Sequence, residues 1–400
     1  MNDNNKIRYL TKKIKLSQSF LHFSILHRVN NFKIQVFLTL ILALLFSFFG
    51  VLLIQNTGLY GMGIEGISQS FARLGAFLIS FLRQGENTKQ KAYIAYNILF
   101  WAITLVLNIP LLILSYFKIS KRFFKLTTIF MISSTIFGIA IGFIPNIEKL
   151  FVFGNLIKNT PQKIIDYKVQ IVFWNREKDA IKQLSLFLYG IAWAIIQAFI
   201  ASALFILSSS SGGFDILGIW YSRKYFKSVG SIFMILHLSS LLIANTVGTF
   251  IPIGITLHNN PKLAEEVTAW SISTFFNPNL ISGIVMILLN GFVVNLLFPK
   301  YNLVHVQIYS SKAFEINEAL KNNENNTYAT SITKIIGGYT LKEKNVINTT
   351  CMYFDAASLL LFVRKIDENA FFTITDIKRA DGYIYVSQKM EENDINKKAK

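Results

Sequence analysis

Long apolar runs separated by short polar connections occupy the first three quarters of the chain. The first, residues 34–54, is long enough as a helix to cross a hydrocarbon core of about 30 Å. Residues 59–82 follow and open with Gly61, Gly63 and Gly66. Then come 94–117, which carries Asn97, Asn108 and Pro110, and 124–144. A mixed-charge segment, 145–183, interrupts the pattern. The second half begins with 184–207, runs into the serines Ser208 to Ser211, and continues as a short segment, 212–225. Residues 229–256 and 280–298 complete the apolar set. This pattern predicts a polytopic α-helical membrane protein in which all of these segments cross. An alternative makes the two glycine-rich segments, 59–82 and 212–225, re-entrant.

From Tyr301 onward the period changes. Residues 304–309 alternate like a strand, 311–321 reads as a helix, and 328–336 and 344–352 read as strands around a turn at Gly337-Gly338. Residues 355–366 form a helix with Asp355 as N-cap, and 370–377 is the closing strand. The order βαββαβ predicts a small α+β domain of ferredoxin-like topology. The expected organisation is a basic tail (1–33), a first membrane repeat (34–144), a connecting segment (145–183) and a second membrane repeat (184–299). A soluble domain (300–388) and a disordered tail (389–400) follow.

Composition agrees with lipid as the solvent. Hydrophobic residues make up 52% of the 400 and charged residues only 16%, below the roughly 25% usual in soluble domains. Mean hydropathy is +0.43. A net charge of +18 would suggest nucleic acid in a soluble protein. Here the basic residues lie in the first tail, in connections and in the last third, as positive-inside topology requires. The tail residues Lys6, Arg8, Lys12, Lys13, Lys15, Arg28 and Lys33 set the N-terminus in the cytoplasm. With all segments crossing, the soluble domain is cytoplasmic too, but Lys118, Lys121, Arg122 and Lys125 fall outside. Re-entrant segments repair that exception and move the basic residues of 145–183 outward. The single cysteine, Cys351, excludes an internal disulfide. About 30 polar or basic residues precede the first apolar run, so a cleavable leader is not expected.

The two halves match at a shift of 150 positions. The run 34–54 leads into Gly58-Leu-Tyr-Gly-Met-Gly-Ile-Glu-Gly66, and 184–207 leads into Ser208-Ser-Ser-Ser-Gly-Gly-Phe-Asp215. The shift pairs Gly63 with Gly213, Glu65 with Asp215, and Arg73 with Arg223. Gly and Ser runs mark helix breaks inside membrane proteins, and matched breaks point to a solute site at the repeat interface. Freed N–H groups at a helix start can receive a polar group. A carboxylate in an apolar segment costs a few kcal/mol at depth, so it faces a cavity or a partner. The plainer reading makes the glycines packing residues and the carboxylates helix-start charges. Arg73 and Arg223 are expected to be anchors at the cytoplasmic interface.

These motifs resemble the YitT-type bacterial membrane proteins. The resemblance runs from about residue 40 to 385. It rests on Met62-Gly-Ile-Glu-Gly-Ile67, Asn108-Ile-Pro-Leu111 and Ser210-Ser-Gly-Gly-Phe-Asp-Ile216, and in the tail on Gly337-Gly-Tyr-Thr340 and Ile366-Asp-Glu-Asn-Ala-Phe-Phe372. It implies a repeated glycine-rich membrane domain, a small cytoplasmic C-terminal domain and a role as transporter or permease. The chain departs from the family pattern at Met62, at His237 and in the long 145–183 segment.

The site expected for a solute or ion comprises Gly63, Glu65, Gly66, Ser210, Ser211, Gly212, Gly213, Asp215 and His237. Histidine as a residue type exchanges protons near neutrality, so His237 could relay protons, although packing histidines are commoner. Asn97, Asn108, Asn245, Asn290 and Asn295 read as interhelical hydrogen-bond partners. A ligand site in the tail domain is expected around Tyr328, Gly337, Gly338 and Tyr339; the competing reading is a hairpin whose glycines only supply positive φ. His22, His27, His258 and His305 lack ligand spacing, and no phosphate loop or Ser-His-Asp set is visible. The chain is therefore expected to be no enzyme and to hold no metal or cofactor. Lipid, a small solute or ion and further copies of the chain are the expected partners; nucleic acid is not. The two function classes are a secondary transporter or permease and a non-transporting membrane sensor or scaffold.

Overall fold

The computed structural model describes residues 26, 29, 31–82, 88–147, 150–154, 180–225, 228–259, 268–298, 303–322, 328–338, 341–378 and 380. Most of the basic tail, the connecting residues 155–179, Tyr339 and the polar tail 389–400 lie outside the described residues.

Asn31 opens the first helix by accepting the Lys33 N–H at 3.0 Å. That helix, α1 (Phe32–Gly50), ends in a π-helical turn, Val51–Gln55. Next come α2 (Ile64–Leu82), α3 (Thr88–Lys118) and α4 (Lys121–Gly142). The second half continues with α5 (Ala180–Ile206), α6 (Phe214–Tyr225) and α7 (Val229–Asn245). A π-turn, Thr246–Phe250, joins α7 to α8 (Ile251–Asn259). Pro252 explains this turn, because its missing N–H leaves the ladder without a donor one turn back. A short α9 (Ile272–Phe275) precedes α10 (Pro278–Leu297).

Six of these helical stretches are long and apolar enough to cross a membrane: Phe32–Gln55, Gln90–Lys118, Lys121–Gly142, Gln183–Ile206, Val229–Asn259 and Pro278–Leu297. Large apolar side chains such as Phe37, Phe117 and Ile235 stand exposed on their outer faces, as lipid contact requires.

The expectation that all eight apolar segments cross is corrected on two counts. Twelve residues of α6 span only about 18 Å. Helix direction is the stronger argument. Arg122 of α4 donates to Gln35 of α1 at 2.9 Å, and Ser47, further along α1, donates to the Ser134 carbonyl, further along α4. The two helices therefore run parallel. So do α5 and α10, since Ser282 bonds Leu186 and Asn290 bonds Ala194. Alternating crossings make both pairs antiparallel if eight segments cross, and parallel if six do. In contrast, α3 and α4 run antiparallel, with Asn97 beside Gly142 and Trp101 beside Gly138.

Small residues and polar pairs carry the packing between the helices. A Cβ on Gly230 would lie 2.0 Å from the Gly291 carbonyl oxygen, so α7 and α10 touch backbone to backbone. The asparagines read as interhelical partners behave so. Asn290 donates to the Ala194 carbonyl and Asn245 to that of Phe275, each at 3.0 Å, and Asn295 accepts the Gly230 N–H at 2.8 Å.

The tail domain has strands β1 (Leu303–Tyr309), β2 (Thr330–Ile336), β3 (Glu343–Met352) and β4 (Phe371–Asp376). Its helices are α11 (Ala313–Lys321) and α12 (Tyr353–Ile366). The strands form one antiparallel sheet in the order β2-β3-β1-β4. Val304, Val306 and Ile308 of β1 face both helices, which bury Ile316, Leu320, Leu359 and Val363. Two local expectations change. Helix α12 starts at Tyr353, so Asp355 sits in its first turn and Met352 is the cap residue. In the β2–β3 turn the positive φ belongs to Leu341, at 52°, and to neither glycine. Met352 also packs against the membrane core, tying the two parts of the chain together.

Cys351 lies buried in β3, where burial and the neighbouring Asp355 push its thiol up to about 12. The reactive thiolate is then nearly absent at neutral pH. A maleimide is expected to label the folded protein at least tenfold more slowly than the denatured chain at pH 7, scored by mass shift.

Candidate functional site

Both helix breaks have the same backbone design. Gly58 and Ser208 take φ of 79° and 61°, and Gly63 and Gly213 take 66° and 60°. Left-handed backbone at these matched positions turns the chain back so that α2 and α6 each begin inside the bundle. Glycine supplies this conformation at low cost at Gly63 and Gly213. The extended stretch runs inward, and the helix then returns toward the end from which the chain came. The contacts follow that path. Asn56 donates to the Ile147 carbonyl just beyond the end of α4, and Asn279 at the start of α10 donates to the Gly58 carbonyl at 2.7 Å.

The two breaks meet each other. A Cβ on Gly213 would sit 3.5 Å from that of Ile64, and one on Gly63 would sit 3.6 Å from that of Phe214. Each break is also closed by a helix of the other half. Asn108 of α3 accepts the Gly213 N–H through its side-chain oxygen. His237 of α7 lies over Gly63, whose Cβ would come 2.9 Å from Nδ1. The start of α2 thus faces the start of α6, and Glu65 and Asp215 occupy their first turns, where the helix dipole favours negative charge.

A cavity of about 20 Å³, enough for one water-sized body, lies between them. Glu65, Asp215, His237, Asn108, Ser211 and Gln197 supply its polar wall. Thr104, at the middle of the Gln90–Lys118 span, also lines it. Ser211 Oγ donates to Asp215, and His237 Nε2 lies 3.5 Å from Asp215 Oδ1. Asp215 and His237 are each 3% exposed. A second cavity adjoins on the other side of Glu65, with walls from Phe46, Phe100, Trp101, Trp193 and Gln55. Glu65 and Phe46 border both.

The break in the first half is stitched to its own helix. Gln69 accepts the Gly61 N–H at 2.9 Å and donates to the Leu59 carbonyl at 2.8 Å. Arg73, one turn on, reaches the same carbonyl at 3.4 Å and stacks its guanidinium 4.3 Å from the Tyr60 ring centroid. At 1% exposure, Arg73 is a buried cation and not an interfacial anchor. Helix α2 turns back before reaching an interface at its start, so a residue in its third turn is enclosed by α3 and the break. The Arg223 side chain lies outside the described residues.

Of the expected residues, Glu65, Ser211, Gly212, Gly213, Asp215 and His237 line one cavity. Gly63 lies beneath the imidazole. Gly66 and Ser210 serve the breaks instead: the Gly61 carbonyl crowds Gly66, and Ser210 Oγ accepts the Gly212 N–H at 3.0 Å. Sequence reasoning assigned Asn108 to helix packing and passed over Thr104, Gln197 and Gln69. The polar pair Gln69 and Arg73, spaced i and i+4 in an apolar segment, was the available signal. In the tail domain, Tyr328 and Gly337 lie beyond opposite ends of β2, a strand that by itself spans about 20 Å. Tyr328 donates to the Asp355 carbonyl. The described residues of that group do not form one site.

Gly63→Ala is expected to destabilise the protein by about 1–3 kcal/mol, through left-handed strain and displacement of the imidazole. Gly213→Ala, with similar φ and more open space, is expected to lose less. Thermal unfolding of the two variants side by side checks this order. Arg73→Leu is expected to lower stability by about 1–3 kcal/mol by removing the second donor to the Leu59 carbonyl and the cation–π stack on Tyr60. Arg73→Lys restores little in the same measurement, because an ammonium lacks the planar stack.

Residues 328–382 match the family model described as "Uncharacterized protein conserved in bacteria (DUF2179)". The "Uncharacterized protein MG432 homolog" of Mycoplasma pneumoniae is 35% identical, over 96% of this chain and 95% of its own length. "Uncharacterized protein MG443" of Mycoplasma genitalium is 34% identical, over 94% of this chain and 95% of its own. The "Uncharacterized protein in fibril gene 3'region" of Spiroplasma citri is 21% identical over 54% of this chain and 61% of its own. No solved structure matches the chain. Similarity of this degree over nearly the whole length means that the chain belongs to the bacterial family that contains the mycoplasmal MG432 and MG443 proteins.

Proposed function

We propose that this protein is a multi-pass plasma-membrane permease, a secondary transporter of a small solute or ion with a cytoplasmic regulatory domain. One observation carries the reading: two helix starts, each bearing a carboxylate, face each other across a shared cavity beside the middle of a spanning helix. Broken helices meeting at mid-depth are the usual architecture of solute sites in secondary transporters. The parallel pairs α1/α4 and α5/α10 support two repeats of inverted topology, with the breaks entering from opposite faces. On that reading the glycine-rich segments are re-entrant and six helices cross. Lys118, Lys121, Arg122 and Lys125 then join the N-terminal tail and the tail domain on the cytoplasmic side, and the basic residues of 145–183 move to the outer side.

In this scheme Glu65 and Asp215 carry the coupling ion, and the Gly/Ser breaks offer backbone groups to the solute. Alternating access is a rocking of one half against the other about the point where Gly63 and Gly213 meet. The tail-domain match supports the YitT-type resemblance, and the sheet order β2-β3-β1-β4 supports a ferredoxin-like regulatory module. The Met352 contact with the membrane core gives that module a route to the bundle. The proposal involves no enzyme chemistry.

Uptake into phospholipid vesicles holding the full chain tests the reading. Light scattering would follow a panel of amino acids, sugars and monovalent salts. At least one is expected to enter faster than in protein-free vesicles, with rates at least tenfold lower in Glu65→Gln and Asp215→Asn. Uptake indifferent to both substitutions removes these residues from the pathway.

A further inference from the structure

His237 holds an unusual place, because it touches both halves of the molecule at once. Its Nδ1 edge lies over Gly63 of the first break, and its Nε2 edge lies 3.5 Å from Asp215 of the second. It is 3% exposed, yet neither ring nitrogen has a hydrogen-bond partner among the described residues. A histidine buried for packing normally satisfies at least one nitrogen, since an unpaired buried polar atom costs about 1–3 kcal/mol. The cavity against which this ring lies has room for one water, which would be within reach of the carboxylates that share the wall.

The charged groups that face the imidazole are few. Asp215 comes from α6 and Glu65 from α2. Helix α10, packed along α7, has no titratable residue between Pro278 and Leu297. The residues of α3 and α5 at the cavity, Thr104, Asn108 and Gln197, are neutral. Phe233 flanks the ring on its own helix at 5.4 Å between centroids.

Resting on the permease reading, we infer that the coupling ion is a proton, bound at His237 and exchanged with Asp215 and Glu65. The imidazolium releases the proton from Nε2 to an Asp215 carboxylate oxygen, leaving neutral imidazole and a carboxylic acid. Through the cavity water the same proton passes to Glu65. A metal cation suits the site less well. Asn108 Oδ1 already accepts from Gly213, Gln197 Oε1 from Asn290, and one Asp215 oxygen from Ser211. No cluster of three His, Cys, Asp or Glu able to hold a metal occurs among the described residues. The exchange also links the halves directly, because the proton's donor and acceptors lie on α7, α6 and α2.

Histidine ring-carbon NMR on the full chain in lipid nanodiscs tests this. The chain has five histidines, so the His237 signal is identified by its loss in His237→Gln. It is followed across about pH 5 to 8, where an imidazole that carries the coupling proton passes between its two forms. Its response is expected to change in Asp215→Asn, and less in Glu65→Gln, because each substitution removes a proton acceptor. His305, in β1 of the tail domain, is the internal reference, and an unchanged thermal unfolding midpoint shows that each variant is folded. A His237 signal that is flat over this range, or a response unchanged by both substitutions, overturns the proposal. Absent solute uptake with an intact titration sinks the permease reading alone. A flat titration with carboxylate-sensitive uptake sinks the proton alone.

Discussion

Backbone N–H and C=O groups cannot be left bare inside an apolar bundle, and the rest of this structure answers to that constraint. Two helices are broken where water is scarce, so every freed group needs a partner from the protein. Gln69 and Arg73 hold the Leu59 to Gly61 stretch, Asn279 caps the Gly58 carbonyl, and Asn108 takes the Gly213 N–H. These polar side chains are what an apolar segment would otherwise avoid. Their presence at those positions follows from the breaks, and the breaks in turn put two helix starts inside the bundle.

The asymmetry between the breaks is equally informative. The first is stitched by a glutamine and an arginine on its own helix; the second relies on serines and on a helix from the other half. The shared backbone angles show that the shape is common to both while the support differs. The titratable groups of the cavity, Glu65, Asp215 and His237, lie on α2, α6 and α7, and the neutral polar groups come from α3, α5 and the second break. The neighbouring aromatic cavity has almost none, apart from the Gln55 amide and Glu65 on their common border.

Much of this was legible in the chain. The apolar runs located each long helix to within a few residues, and the period change at Tyr301 located the tail domain and all four strands. The matched Gly/Ser motifs marked the two breaks and the carboxylates in the first turns of the helices that follow them, which either reading of those motifs required. Helix direction was not legible. Hydropathy records how long and how apolar a segment is, not whether it turns back, so 59–82 and 212–225 read as crossings. Arg73 was misplaced for the same reason: a cation near the end of a crossing is an anchor, but in a returning helix it is enclosed. Asn108 was read as packing because its partner lies 105 residues away, beyond anything local spacing reveals.

That distance also has a consequence for biosynthesis. The Asn108 side chain and Gly63 both wait for partners that belong to the second half, His237 included. At about 5–20 residues per second of synthesis, Asn108 is made roughly 5–20 s before Gly213. The contacts between the two breaks therefore form only once the second half has been made, and until then the first break must hold its shape on Gln69 and Arg73 of its own helix.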